Sequence, residues 1–253
     1  HSTPESPSRR EHPVRAAPGP EPMTIKAIIF DAGNTLIFID PQVVLPILRD
    51  FGASVDGEGF RRAEIRARNQ LSRRVEEGAF GTEPHLWQEY FQTIFRDSGV
   101  PESNHRALGQ RVRDVHGERH LWTYLEPETP AALDRLLEVG YRLAVISNAD
   151  GRVESLLEGA GIRDRFEFVM DSELEGVEKP DPEIFLRACK RMALDPPEVL
   201  YVGDLYPVDV LGSRRAGLNA LLLDPLDTLD YPVDRVRDVA AIPAYMEALA
   251  PSQ

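Results

Sequence analysis

Cysteine and lysine are nearly missing from this 253-residue chain, which has one of the first, Cys189, and three of the second, Lys26, Lys179 and Lys190. A lone thiol cannot close an internal disulfide. Nothing at the N-terminus has the apolar core of a secretory signal, so the expected compartment is the cytosol. Also lacking is any apolar run near the ~20 residues of a membrane span, which excludes an integral membrane protein of the helical kind. Positive charge is scarce too: 29 Lys and Arg stand against 42 Asp and Glu, a formal net charge of -13. Such a surface repels nucleic-acid phosphates and anionic lipid. The partner left is a small molecule held in a locally positive pocket, and no pattern here sets the oligomeric state.

The length exceeds the ~100–150 residues of a typical domain, so one domain with an insertion, or two domains, is expected. Residues 1–22 are rich in Pro, Ser and charge with no apolar period, and read as a disordered tail or expression remnant ahead of Met23. Five apolar runs follow, "KAIIFD", "YRLAVIS", "FEFVMDS", "EVLYVGD" and "NALLLD", ending at Asp31, Ser147, Ser172, Asp204 and Asp224. Continuous runs of that length fit strands buried on both faces of a parallel sheet. Helical spacing separates the last four, with Pro182 near a helix start and Gly161 and Gly217 just past helix ends. Alternating strand and helix predicts a doubly wound α/β core, Rossmann-like, formed by residues 23–40 and 128–253. Residues 41–127 show helical spacing (Val44, Ile47, Leu48, Phe51; Leu86, Tyr90, Ile94, Phe95; Leu108, Val112, Val115) and no convincing strand. They read as an inserted α-helical cap.

Parallel strands share one C-terminal edge, where ligands bind, so Asp31, Ser147 and Asp204 are expected in one crevice. Singly, an aspartate at a strand end reads as a turn former or helix cap. The ordered set says more: Asp31-x-Gly33-Asn34-Thr35-Leu36, Ser147-Asn148, Lys179-Pro180 before a helix, and Gly203-Asp204 with Asp209 five residues beyond Asp204. This resembles the four motifs of the haloacid dehalogenase-like hydrolase superfamily, over essentially all of residues 25–224. The resemblance implies that Asp31 is a carboxylate nucleophile that carries the phosphoryl intermediate. Asp204 adds a second carboxylate, and the two would raise each other's pKa without a cation between them. Mg²⁺, a hard ion that takes oxygen ligands, is the expected cofactor, held by Asp31, Asp204 and, by resemblance, the carbonyl of Gly33. Lys179 places positive charge on the transferring group and on Asp31. Ser147 offers a hydroxyl donor to the same oxygens, and Asn148 a second donor or a substrate contact. Thr35 supports the site or only closes the turn, and Asp209 orients the metal's waters or Lys179, or caps the next helix.

Gly33 departs from the pattern. In the superfamily's phosphatases this position is a second aspartate that protonates the leaving oxygen and later activates water, a contribution of typically ~10²–10⁴ in rate. The phosphonate-cleaving branch also lacks that aspartate, but it relies on a cap lysine, and residues 41–127 contain none. The 2-haloacid dehalogenase branch lacks it as well, since halide leaves without a proton, yet "VGDLYPVD" resembles the metal-binding phosphatase form of the fourth motif. A Mg²⁺-dependent phosphatase acting on a small phosphorylated metabolite is therefore preferred. Acyl phosphates suit it best, because a good leaving group needs little protonation. Alternatives are a dehalogenase and a catalytically weak protein that holds a phosphorylated ligand. The candidates to stand in for the missing acid are Asp40, His85, His116, Glu118 and His120, though the histidines read more simply as surface or satisfied core. "RRAEIRARNQLSRR" reads as a solvated helix face paired with Glu64 and Glu76. Trp87 and Trp122 read as cap packing, and Pro207 as a helix start.

Overall fold

The apolar run before Asp31 becomes the central strand of a six-stranded, all-parallel sheet in a computed structural model that describes residues 24–78 and 84–249. The expected N-terminal tail lies outside the described residues. In chain order come β1 (Ala27–Phe30), β2 (Ile37–Ile39), α1 (Pro41–Asp50), α2 (Gly57–Glu76), α3 (Pro84–Asp97), α4 (His105–Glu118) and β3 (Trp122–Leu125). The second part runs α5 (Thr129–Val139), β4 (Arg142–Ser147), α6 (Val153–Gly159), β5 (Val169–Asp171), α7 (Ser172–Glu175) and α8 (Pro182–Met192). It closes with β6 (Val199–Gly203), α9 (Leu211–Arg215), β7 (Asn219–Leu223), β8 (Asp234–Val236) and α10 (Ile242–Leu249).

The sheet order β5-β4-β1-β6-β7-β8 seats β1 between β4 and β6. Ile28 pairs with Leu143 on one side and Leu200 on the other, so the ends of all three strands fall side by side. Because side chains alternate along a strand, β1 serves two cores. Ile28 and Phe30 pack with Leu133, Leu136, Ile242 and Met246 of α5 and α10. Ala27 and Ile29 pack with Ile184, Phe185, Ala188 and Met192 of α8 on the opposite face. Helices on both faces explain why these strands are apolar at every position.

The chain leaves β1 through a turn in which Asn34 adopts φ 60, a left-handed conformation that asparagine tolerates better than most residues. It then forms β2, passes through α1–α4, and returns as β3, which pairs antiparallel with β2. A strand thus stands at Trp122–Leu125, where the helical reading of residues 41–127 had none. Its four residues adjoin a helix and are too few to show a period of two. The edge strand β8 was missed for a different reason: Asp234 and Arg235 are exposed, and short charged strands are how sheets blunt their edges. After β6 the chain makes one π-helical turn, Tyr206–Val210, before α9, so Pro207 opens that turn rather than an α-helix.

At the end of β6 the Asp209 carboxyl group folds back against the strand, and a Cβ on Gly203 would overlap it. Glycine is required there by close approach, not by its dihedral freedom. Gly203→Ala is expected to lose about 1–3 kcal/mol of folding free energy through overpacking. Urea denaturation measures it, and unchanged stability would contradict the close approach.

Candidate active site

Lys179 lies on the loop before α8, and its ammonium is held by three acceptors from three parts of the chain. Nζ donates to Asp31 Oδ1 at 2.6 Å, to Asp209 Oδ1 at 2.8 Å and to Tyr201 Oη at 2.9 Å. An ammonium has three protons, so this set uses them all. The Tyr201 hydroxyl in turn donates to the Ile146 carbonyl at 3.1 Å. Asn148 fixes the loop from below: its amide donates to the Lys179 carbonyl and its oxygen accepts from the Lys179 N–H, each at 2.8 Å. That reciprocal pair gives Asn148 a structural task beside the expected one of second donor or substrate contact, for which its other amide N–H remains. Asp209 uses its second oxygen to accept from the Asp204 and Leu205 N–H groups at 3.1 and 2.9 Å. It therefore ties Lys179 to the end of β6.

The structure brings Asp31, Asp204, Asp209 and Lys179 into one buried cluster, with Ser147 buried at the end of neighbouring β4. Thr35 is fully buried in the adjoining turn, and its Oγ1 has no hydrogen-bond partner among the described residues. A second cation joins them from a helix 136 residues away. Arg68 of α2 is 3% exposed, and its guanidinium donates to the Asn34 carbonyl at 3.0 Å, to Glu64 at 3.3 Å and to Asp204 Oδ2 at 3.4 Å. Glu64 also accepts from the Tyr90 hydroxyl of α3 at 2.9 Å. This corrects the solvated reading of the arginine-rich stretch for Arg68 and Glu64. Arg61, Arg62, Arg66 and Arg74 do face outward, pairing with Glu126, Glu58, Asp97, Glu77 and Glu89 rather than with Glu76. Arg68, Glu64, Tyr90 and Tyr201 were thus missed as site residues. A usable signal existed, since Phe60, Glu64, Ala67 and Arg68 share one face of α2 that is otherwise apolar.

The cluster holds four carboxylates, Asp31, Asp204, Asp209 and Glu64, and two cations, Lys179 and Arg68, a formal excess of two negative charges. Burial raises the Asp31 carboxyl from 3.8 to about 6 against the pull of Lys179. Burial also raises Asp204 well above the usual carboxylate range, with Arg68 opposing and Asp31 and Asp209 adding to it. Burial works against the charge on Lys179, but Asp209 and Asp31 together push its ammonium well above the ordinary lysine value. Single oxygens of Asp31, Asp204 and Asp209 lie within 4.8 Å of one another. All-oxygen donors, two surplus negative charges and an unpartnered buried hydroxyl nearby fit a divalent cation of the hard class. Zn²⁺ would favour nitrogen or sulfur ligands.

At Gly33 an added Cβ would sit 3.7 Å from the Trp122 indole, an ordinary contact. Trp122 Nε1 donates to Asn34 Oδ1 at 2.9 Å, so β3 braces the turn after Asp31. Among the possible substitutes for the missing acid, Asp40 caps α1 by accepting from the Gln42 N–H at 2.8 Å. His116 and His120 pack against Trp122 and approach Asp150, which is paired with Arg152. Burial lowers both imidazoles, His120 to about 4. His85 lies in α3, and Glu118 is exposed at the end of α4. Trp87 is part of the same aromatic cluster as Trp122.

A family model described as a haloacid dehalogenase-like hydrolase matches residues 25–217. The mouse (Mus musculus) haloacid dehalogenase-like hydrolase domain-containing protein 3 is 34% identical over 60% of this chain, and the match spans 61% of the mouse protein's length. The glyceraldehyde 3-phosphate phosphatase of Methanopyrus kandleri is 28% identical over 85% of this chain and 95% of its own. Among solved structures, the putative HAD-hydrolase YfnB from Bacillus subtilis superposes with a TM-score of 0.64 at 19% identity, covering 88% of this chain and 99% of its own, a likeness of fold.

The raised Asp31 carboxyl makes the folded, cation-free protein bind more proton than the unfolded chain between pH 3.8 and about 6. Its contribution to stability is complete below that window and is lost as the pH rises through it, by at most about 1.4 kcal/mol per pH unit. In chelator, urea denaturation is expected to show a steeper loss across the window for the wild type than for Asp31→Asn. Equal slopes would contradict the assignment.

Proposed function

This chain belongs to the haloacid dehalogenase-like hydrolase family, and on that premise we propose that it is a cytosolic, Mg²⁺-dependent phosphatase of a small phosphorylated metabolite. The observation that carries this reading is the contact of Lys179 Nζ with Asp31 Oδ1 at 2.6 Å, beside a carboxylate cluster with two negative charges in excess. The similarity to a glyceraldehyde 3-phosphate phosphatase points to the same class of substrate. The metal-free dehalogenase alternative leaves that charge surplus unexplained.

In this reading an Asp31 oxygen attacks phosphorus, the bond from phosphorus to the leaving oxygen breaks, and the phosphoryl group rests on Asp31. Water then attacks the same phosphorus, frees inorganic phosphate and restores the carboxylate. Lys179, held in register by Asn148, Asp209 and Tyr201, keeps Asp31 ionised and compensates charge on the transferring oxygens. Ser147 donates to those oxygens. Asp31, Asp204 and the Gly33 carbonyl would hold Mg²⁺, whose charge would screen an anionic substrate from the nucleophile and stabilise the transferring group. Helices α1–α4 act as the cap that closes over the crevice.

Gly33 sets the chemical preference. No side chain at that position can give the departing oxygen a proton, so substrates whose leaving group is a weak base are favoured, acyl phosphates first. With Mg²⁺ present, acetyl phosphate is expected to turn over well ahead of simple alkyl phosphates, and Asp31→Asn to abolish both. Gly33→Asp, for which the Trp122 side leaves space, is expected to raise alkyl phosphate turnover selectively, by up to ~10²–10⁴. Steady-state assays of phosphate release measure these effects. No hydrolysis of any phosphate ester or acyl phosphate, or activity that survives in Asp31→Asn, would contradict the proposal.

A further inference from the structure

The two buried cations of the cluster are held very differently. Lys179 makes three contacts of 2.6 to 2.9 Å, one for each proton. Arg68 spreads its head over Asn34, Glu64 and Asp204 at 3.0 to 3.4 Å. Neither carboxylate receives the short two-pronged bond that arginine forms in its strongest pairs. Its Nε–H is buried with no partner among the described residues. A buried guanidinium so poorly satisfied is not seated in its optimum, and a donor left unpaired away from water costs free energy. The two also differ in their anchorage. Lys179 sits on the loop before α8, tied by Asn148 to the end of β4, whereas Arg68 rides on α2 and reaches the sheet edge at the Asn34 carbonyl and Asp204.

The Asp204 oxygen that Arg68 meets belongs to the residue expected to ligate Mg²⁺, and Asn34 adjoins Gly33, whose carbonyl is expected to do the same. A divalent ion on Asp204 would be repelled by Arg68 on the same carboxylate, and the low dielectric of a buried site strengthens that repulsion. Lys179 stands in the same relation to an ion on Asp31, but its three short contacts hold it there, whereas Arg68 is the loosely held cation of the two. We propose that Arg68 is an exchangeable internal cation that occupies Asp204 in the closed, cation-free protein and must withdraw before a divalent ion can bind. The inference rests on the reading of Asp31 and Asp204 as cation ligands. It explains how a cluster with Asp31 6% exposed and Asp204 5% exposed can open to a substrate: withdrawal of Arg68 carries α2 away from the sheet edge. Glu64 and Tyr90 act as its parking place, because they move with the insertion and keep the guanidinium paired after it leaves Asp204. Linkage makes the coupling reciprocal, so an ion that favours the withdrawn state loosens α2, and a change that loosens Arg68 tightens the ion.

The test is the affinity of the full chain for Mg²⁺ and for Mn²⁺, measured by titration calorimetry on the wild type, Arg68→Met and Arg68→Gln, with Asp204→Asn as the control that removes the site. Both Arg68 variants are expected to bind the ion about tenfold more tightly or better, the factor that applies if the latched form makes up nine-tenths or more of the wild type. The glutamine variant keeps a polar head and covers the case in which methionine fails to fold. Hydrogen exchange supplies a readout apart from binding: Mg²⁺ is expected to speed exchange of α2 amides in the wild type and to leave them unchanged in Arg68→Gln. Binding of equal or lower affinity in both Arg68 variants would overturn this inference while leaving the cation site intact. Absence of ion binding in the wild type and both variants would overturn the reading of the site and this inference with it.

Discussion

The contact on which the rest depends is the ammonium of Lys179 against the carboxylate of Asp31. Placing either group in this buried crevice alone would cost several kcal/mol, and breaking such a pair leaves an uncompensated charge. The fold meets that cost with redundancy. Asp209 and Tyr201 take the other two protons of Lys179, and Asn148 fixes the lysine's backbone from both sides. These partners come from β1, the end of β4, β6 and the turn after β6, which meet because β4, β1 and β6 are neighbours in one parallel sheet. The sheet order is therefore a condition of the chemistry, and the close packing at Gly203 is a condition of the position of Asp209.

Around that pair the protein carries more negative charge than its own cations neutralise. Asp31 and Asp204 respond by holding their protons more tightly than ordinary carboxylates do. On the proposed reading the crevice is prepared for an outside cation, while α2 supplies a weaker inside one in Arg68. What a phosphoryl-transfer site of this kind lacks here is a proton donor two residues after the nucleophile. Trp122 and Asn34 brace the turn without replacing that acid, so the burden falls on the leaving group. On the proposed reading, helices α1–α4 close the crevice and the missing acid narrows its chemistry, which together describe a selective hydrolase rather than a broad one.

Much of this was legible in the order of residues because it depends on short-range rules. Strands buried on both faces are apolar at every position, and parallel strands deliver their end residues to one edge, so Asp31, Ser147 and Asp204 could be gathered without coordinates. What escaped depends on contacts across the chain. Arg68 looked like one of many arginines on a polar helix, and only packing against β1 and β6 shows that its face of α2 is buried. Tyr201 sat inside an apolar strand, and its hydroxyl needed a partner that no local pattern names. Asn148 has a further task that no local pattern names, because its partner lies on a loop 31 residues further on. The strand β3 was missed because four residues beside a helix cannot display a period of two, and β8 because its exposed Asp234 and Arg235 carry no apolar signal.

The most direct test of the central claim is the chemical identity of the reaction intermediate. The protein would be mixed with acetyl phosphate and Mg²⁺, quenched in acid, digested and mapped by mass spectrometry. The account requires a phosphoryl group on the peptide that contains Asp31, and on that residue within it. Turnover accompanied by a phosphoryl group on any other residue would contradict the account.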